Sequence, residues 1–84
     1  MDRNEIIIRL RSLMATMMEV EIPEVLQETD RIYDDLGIDS IMVMQLMIGL
    51  EETFNIVVPE EEVDPANFST VGNLVSFIEG LQSK

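Results

Sequence analysis

The sequence predicts an all-α domain. Of its 84 residues 46% are apolar and only 5% aromatic, so the core must be built from Ile, Leu, Val and Met, which suits helices better than a β-sandwich. Two segments repeat apolar residues at steps of three and four, the spacing of one helix face. No internal repeat or Gly/Ser linker divides the chain, which predicts one domain across residues 1–84.

The first and last helices follow from this spacing. The first is predicted over residues 4–18, and the last after Thr70, with Gly80 near its expected end. The apolar positions of the first are Ile7, Leu10, Leu13, Met14, Met17 and Met18, and those of the last are Val71, Leu74, Val75, Ile78 and Leu81.

Two irregular segments lie between these helices. Pro59 is placed for a helix start and Pro65 stops a long helix, which predicts a short third helix or turn between Phe54 and Thr70. Residues 19–39 lack helical periodicity and form a long first loop, which must pack on the core or have a function. The side chains expected to anchor it are Val25, Leu26, Ile32, Tyr33 and Leu36.

Charge and composition exclude several classes of function. The net charge is −12, and residues 32–83 hold ten acids and no base, which argues against nucleic-acid binding and favours basic protein partners. The absence of Cys and His excludes disulfides, thiolate zinc sites and cysteine or histidine catalysis. The longest nearly apolar run, residues 41–50, is too short to span a membrane. We expect a soluble, cytoplasmic monomer without a metal site.

The segment Asp34-Asp35-Leu36-Gly37-Ile38-Asp39-Ser40-Ile41 leads into a helix predicted over residues 40–54. Asp and Ser are ordinary helix caps, and Gly37 supplies a turn, so local pattern alone favours capping for Ser40. Without His, and without Lys before Lys84, Ser40 has no base to make it a nucleophile. With Asp35 and Asp39 beside it, Ser40 is better interpreted as a serine that another enzyme recognises and modifies.

The helix after Ser40 carries two apolar stripes. The core stripe contains Val43, Leu46, Met47, Leu50 and Phe54. Ile41, Met44 and Ile48 form a second stripe roughly opposite, with Gln45 and Glu52 beside it and Glu51 on its flank. Either the helix is buried on both sides, or the second stripe is a docking surface. The small size of the domain favours docking.

This segment resembles the phosphopantetheine attachment motif of acyl and peptidyl carrier proteins, and residues 50–56, 58–59 and 70–75 extend the similarity along the chain. The resemblance implies a four-helix bundle with a long first loop and a short third helix, as in acyl carrier proteins. It also implies no catalytic residue. A phosphopantetheinyl transferase, using coenzyme A and magnesium, would attach 4'-phosphopantetheine to Ser40, and the thiol of this arm would carry a thioester.

The resemblance assigns further roles. Asp39 would be recognised by the transferase, and partners would dock on Ile41, Met44, Gln45, Ile48, Glu51 and Glu52. Those partners would be a loading adenylating ligase or acyltransferase and a downstream synthase or condensing enzyme. Ile41 stands where the family usually has leucine, and Met42 and Gln45 where many fatty-acid carriers are acidic. The pattern is therefore closer to stand-alone carriers of specialised pathways, including siderophore assembly.

The acidic residues suggest two other classes of function, an interaction module and a calcium sensor. An unmodified acidic interaction or regulatory module would also use the charge and the second stripe. A calcium sensor built on the aspartates from Asp30 fails because the sixth loop position is Asp35 and the twelfth is Ile41, where an EF-hand has glycine and glutamate. Core packing, and not a cavity for cargo, is the preferred interpretation of Met14, Met17, Met18 and Met47.

Overall fold

The computed structural model describes residues 2–17, 21–59 and 65–83. It contains three α-helices, α1 (Arg3–Met17), α2 (Ser40–Phe54) and α3 (Val71–Gln82), and a 3₁₀ helix, Pro65–Phe68. Within these ranges the extended pairing amounts to an isolated bridge between Arg31 and Thr70. The all-α prediction is therefore confirmed. No helix in the described part of the chain is long and apolar enough to cross a membrane.

The ends of the helices show which sequence signals determine where a helix begins and ends. Thr70 caps α3, its Oγ1 accepting from the Asn73 N–H at 3.1 Å, as its position predicts. Gly80 lies near the end of this helix, as predicted, although α3 continues to Gln82 and Ser83 donates its N–H to the Glu79 carbonyl. A glycine lowers helix propensity but does not stop a helix whose apolar face is packed. Residue 18, predicted to end α1, lies outside the described residues.

Pro65 begins the 3₁₀ helix, because its fixed φ and missing N–H suit a first helical position. This element has four residues, so it agrees with a short helix or turn between Phe54 and Thr70. The helix start predicted at Pro59 would occupy residues 60–64, which are outside the described part of the chain.

One apolar core joins the helices and the loop. The helices contribute Ile6, Leu10, Met14, Val43, Leu46, Leu50, Phe54, Val71, Leu74, Val75, Ile78 and Leu81. Met17 and Met47 pack against it, partly buried, so core packing accounts for the described members of the methionine group. α1 crosses α2 closely at Gly49, where an added Cβ would lie 2.5 Å from Met17 Sδ and 2.9 Å from Leu13 Cδ1. This crossing leaves the opposite side of α2 free.

The long first loop is anchored by side chains and by backbone. Its buried residues are Leu26, Ile32, Leu36 and Ile38, whereas Val25 and Tyr33 are exposed, contrary to prediction. The Ile32 N–H donates to the Ser69 carbonyl at 3.0 Å, and the N–H groups of Val71 and Gly72 donate to loop carbonyls at 2.9 Å. These hydrogen bonds fix the loop against the start of α3. The loop leads directly to Ser40, so they also hold in place the residues before it.

Candidate functional site

A hydrogen-bonded turn precedes Ser40. The Asp35 Oδ2 accepts from the Arg31 backbone N–H at 2.8 Å and from its Nε at 3.4 Å. In return, the N–H groups of Asp35 and Leu36 donate to the Arg31 carbonyl. The Ile38 N–H closes the turn on the Ile32 carbonyl at 3.1 Å. Asp35, predicted to face a partner, is thus paired within the chain.

This pairing also sets the charge state of the turn. The backbone and side-chain hydrogen bonds from Arg31 lower the pKa of the Asp35 carboxyl, and Asp35 raises the pKa of the Arg31 guanidinium. The Arg31 Nη1 also lies 3.5 Å from Asp34 Oδ2. Sequence reasoning missed the role of Arg31, although opposite charges at steps of three and four were a usable signal.

Asp39, not Ser40, is the N-cap of α2. Its backbone is extended, with φ −96° and ψ 180°, and its Oδ1 accepts from the Met42 N–H at 2.9 Å. Ser40 is the first helical residue and is exposed. Local pattern alone favoured Ser40 as the cap, and this is wrong, because the Asp39 side chain makes the capping hydrogen bond.

The Ser40 hydroxyl is available for chemistry. Among the described residues it has no hydrogen-bond partner, and neither the Ser40 nor the Ile41 N–H has an acceptor there. N–H groups in the first turn of a helix favour a nearby anion. A phosphate joined to Ser40 Oγ would therefore find an open site with unused donors, so these residues fit a phosphopantetheine group.

The predicted second stripe of α2 is solvent-exposed. Ile41, Met44 and Ile48 are 71%, 64% and 61% exposed, and Gln45 and Glu52 are exposed beside them. Glu51 differs, because it is half-buried and its Oε2 accepts from the Val58 N–H at 3.1 Å. The surface formed by Ile41, Met44, Gln45, Ile48, Glu51 and Glu52 is called the α2 face below.

Three aspartates around Ser40 accept hydrogen bonds from backbone N–H groups. Asp30 Oδ2 accepts from the Gln27 N–H at 2.9 Å, and Asp35 and Asp39 accept from N–H groups as described above. No group of three or more acidic side chains within the described ranges is arranged to hold a metal ion. These carboxylates shape the turns that present Ser40.

Residues 9–78 match the family model described as a phosphopantetheine attachment site. The chain belongs to this family of carrier proteins. The match includes the capped turn, Ser40 and the whole of α2. The chain is therefore a carrier that holds an acyl, aryl or aminoacyl group as a thioester on 4'-phosphopantetheine and delivers it to biosynthetic enzymes. Members of this family are non-catalytic acyl carriers.

Individual relatives agree with this assignment. The chain is 46% identical over 70 residues to acyl carrier protein AsbD of Bacillus anthracis, covering 83% of this chain and 77% of that protein. It is 44% identical over 57 residues to an acyl carrier protein of Wolinella succinogenes, covering 68% and 72%.

A solved structure shows the same fold at low sequence identity. It holds a carrier protein from Agrobacterium tumefaciens with an engineered Bradyrhizobium japonicum glycine:[carrier protein] ligase and ATP. The match has a TM-score of 0.74 at 20% identity and covers 93% of this chain and 97% of that one.

Proposed function

We propose that Ser40 is the residue that receives the phosphopantetheine arm in this carrier. The observation that supports this most directly is the exposed Ser40 hydroxyl, unpaired within the described residues, at the start of a helix whose cap is supplied by its neighbour. Ser40 Oγ would attack the phosphorus nearest to pantetheine in the diphosphate of coenzyme A. The bond from that phosphorus to the oxygen shared with the nucleotide phosphate would break, and the nucleotide would leave. The chain has no His and its lysine is residue 84, so we assign removal of the hydroxyl proton to the transferase and propose that the carrier itself is not an enzyme.

Asp39 is proposed to have two roles. Oδ1 caps α2 through Met42, which leaves Oδ2 directed to no other described donor. A carboxylate oxygen one residue from the reacting hydroxyl is suited to contact a magnesium ion or an arginine of the transferase. Capping fixes the direction of Ser40, and the remaining oxygen provides recognition.

The α2 face is proposed as the docking surface for loading and downstream enzymes. Its three large apolar side chains supply contact area, and Glu52 supplies charge that steers a basic partner. The structure of a carrier of similar fold bound to an engineered glycine:[carrier protein] ligase supports an adenylating ligase as one kind of partner. An acyltransferase is the alternative loading enzyme, and a synthase or condensing enzyme would receive the cargo.

The neutral start of the α2 face supports a specialised pathway. Met42 is partly buried against the core and Gln45 is exposed and uncharged, so these two positions offer no acidic group to a basic partner. We infer a stand-alone carrier of specialised metabolism, with siderophore assembly as one such pathway. In the bundle, the 3₁₀ helix Pro65–Phe68 is proposed to serve as the short third of four helical elements.

Mass spectrometry tests the attachment. The chain is incubated with coenzyme A, magnesium and a broad-specificity transferase, and peptide fragmentation locates the added group. We expect one phosphopantetheine on Ser40 and none on the Ser40→Ala variant. An unmodified wild-type chain would support an acidic interaction module instead, and an adduct elsewhere would move the site. Adenylating ligases supplied with a panel of aryl, amino and short acyl acids would then identify the cargo by mass.

A further inference from the structure

Besides the α2 face, the structure has an apolar groove between α1 and the first loop. It is lined by Ile7, Ile8, Arg11, Glu24, Val25 and Leu26. Ile8 is 60% and Val25 is 74% exposed, which is as exposed as the apolar residues of the α2 face. Ile8 and Val25 are too exposed to stabilise the core, and neither the family assignment nor the proposed attachment at Ser40 explains their exposure.

Arg11 gives this groove a distinctive charge. Among the described residues, Arg3, Arg9 and Arg31 all lie within 4.0 Å of an acidic side chain, and Arg11 does not. Its Nε donates to the Pro23 carbonyl at 2.8 Å, which fixes the side chain along the loop, and its terminal nitrogens have no partner among the described residues. An arginine that has no acidic partner among the described residues is unexpected in a chain of net charge −12.

The groove faces away from α2. Leu13 packs at Gly49 of α2, and Ile8 is five residues earlier, which places it about 140° around α1 at 100° per residue. A protein bound at Ile8 and Val25 would therefore leave the α2 face uncovered.

We propose that this α1–loop groove binds a protein segment that presents a carboxylate beside one or two aliphatic side chains. The carboxylate pairs with the terminal nitrogens of Arg11, and the aliphatic side chains cover Ile8 and Val25. Glu24, on the same rim, disfavours a second acid at its own end and so orients the segment. Such a partner can hold the carrier while another enzyme uses the α2 face.

Selection from a random peptide library displayed on phage tests this proposal. The wild-type chain is immobilised, and selection is carried out at about 0.15 M salt, where long-range attraction to the acidic surface is screened. A chain of this charge favours Lys- and Arg-rich peptides without specificity, so enrichment of peptides pairing Asp or Glu with Leu, Ile or Val is a discriminating result.

Matched variants then locate the binding. For a synthetic copy of an enriched peptide, we expect about tenfold weaker binding to Val25→Ser and to Arg11→Gln, and unchanged binding to Arg9→Gln and Ile48→Ser. Val25→Ser alters an exposed side chain, so its result does not depend on the loss of the Arg11 bond to Pro23. Enrichment of basic peptides alone, no enrichment, or binding that Ile48→Ser abolishes and Val25→Ser leaves intact would each overturn the proposal. All of these outcomes are independent of whether Ser40 is modified.

Discussion

Two adjacent residues divide the work at the start of α2. Asp39 closes the helix end through Met42, while Ser40 has an unpaired hydroxyl within the described part of the chain. A cap contributes to stability wherever it lies, whereas a hydroxyl that makes no contact contributes little. Stability and modification can therefore be separated by substitutions at neighbouring positions.

Substitutions at Asp39 are expected to distinguish capping from recognition. Asp39→Ala should lower the free energy of unfolding by about 1 kcal/mol, because the Met42 N–H loses its acceptor. Asp39→Asn should keep most of that stability, because asparagine is an equally good cap, yet slow phosphopantetheine transfer. Urea unfolding measures the first effect and transferase kinetics the second. Equal transfer by Asp39→Asn and wild type would remove the recognition role.

Ser40→Ala is the companion experiment. Because Asp39 is the cap, the variant should unfold within about 0.5 kcal/mol of wild type, a smaller loss than removal of a cap would cause. It should accept no phosphopantetheine. A loss as large as that of Asp39→Ala would show that the hydroxyl supports the helix end after all.

At the scale of elements, α2 has one core face and one exposed face. A substitution to alanine should lower stability on the core face and weaken cargo transfer on the exposed face. Leu46 is fully buried, so Leu46→Ala should cost about 2–5 kcal/mol of unfolding free energy. Ile48 is 61% exposed, so Ile48→Ala should change stability by less than about 0.5 kcal/mol while weakening transfer of cargo from a loading ligase. Thermal unfolding and loading rates test both, and a large loss of stability in Ile48→Ala would identify the exposed face as core.

Two glycines of α3 provide a second pair. At Gly72 an added Cβ would lie 3.1 Å from the Glu28 carbonyl oxygen, the acceptor of the Gly72 N–H. At Gly80, no described atom outside the adjacent backbone of α3 lies within 4 Å of the Cβ position. Gly80→Ala should therefore stabilise the domain by up to about 1 kcal/mol through helix propensity, and Gly72→Ala should destabilise it by about 1–3 kcal/mol. Denaturant midpoints compare the two. Stabilisation by Gly72→Ala would show that the loop moves aside without cost.

The helices and the exposed apolar stripe of α2 could be predicted from the sequence, but the loop contacts could not. Periodicity places α2 between Ser40 and Phe54 because apolar spacing reports which face is buried. The bonds from Ile32 to Ser69 and from Gly72 to Glu28 join backbone groups, which are identical in every residue and leave no mark in composition. Val25 and Tyr33 were wrongly predicted as anchors, because hydrophobicity does not reveal which way a side chain points in an irregular loop.

For the whole molecule, net charge opposes the fold. Seventeen acids and five bases leave −12, so acids repel one another, and protonating them at low pH relieves that repulsion. Arg3 acts against it by pairing with Glu28 of the loop and Glu79 of α3, with its guanidinium also donating to Ser76 Oγ at 3.1 Å. A single arginine thus links α1, the loop and α3.

The Arg3 link should have its own pH dependence. The hydrogen bond from Arg3 lowers the pKa of Glu28 below its ordinary value of 4.5, so the stabilisation is present above that value and lost as pH falls through the lowered pKa. The difference in unfolding free energy between wild type and Arg3→Met should therefore shrink below about pH 4.5. Arg9→Met, which removes an equal charge from a local pair with Glu5, controls for net charge. The same loss with the same pH profile in both variants would assign the effect to charge repulsion, since only the Arg3 pairs join separate elements.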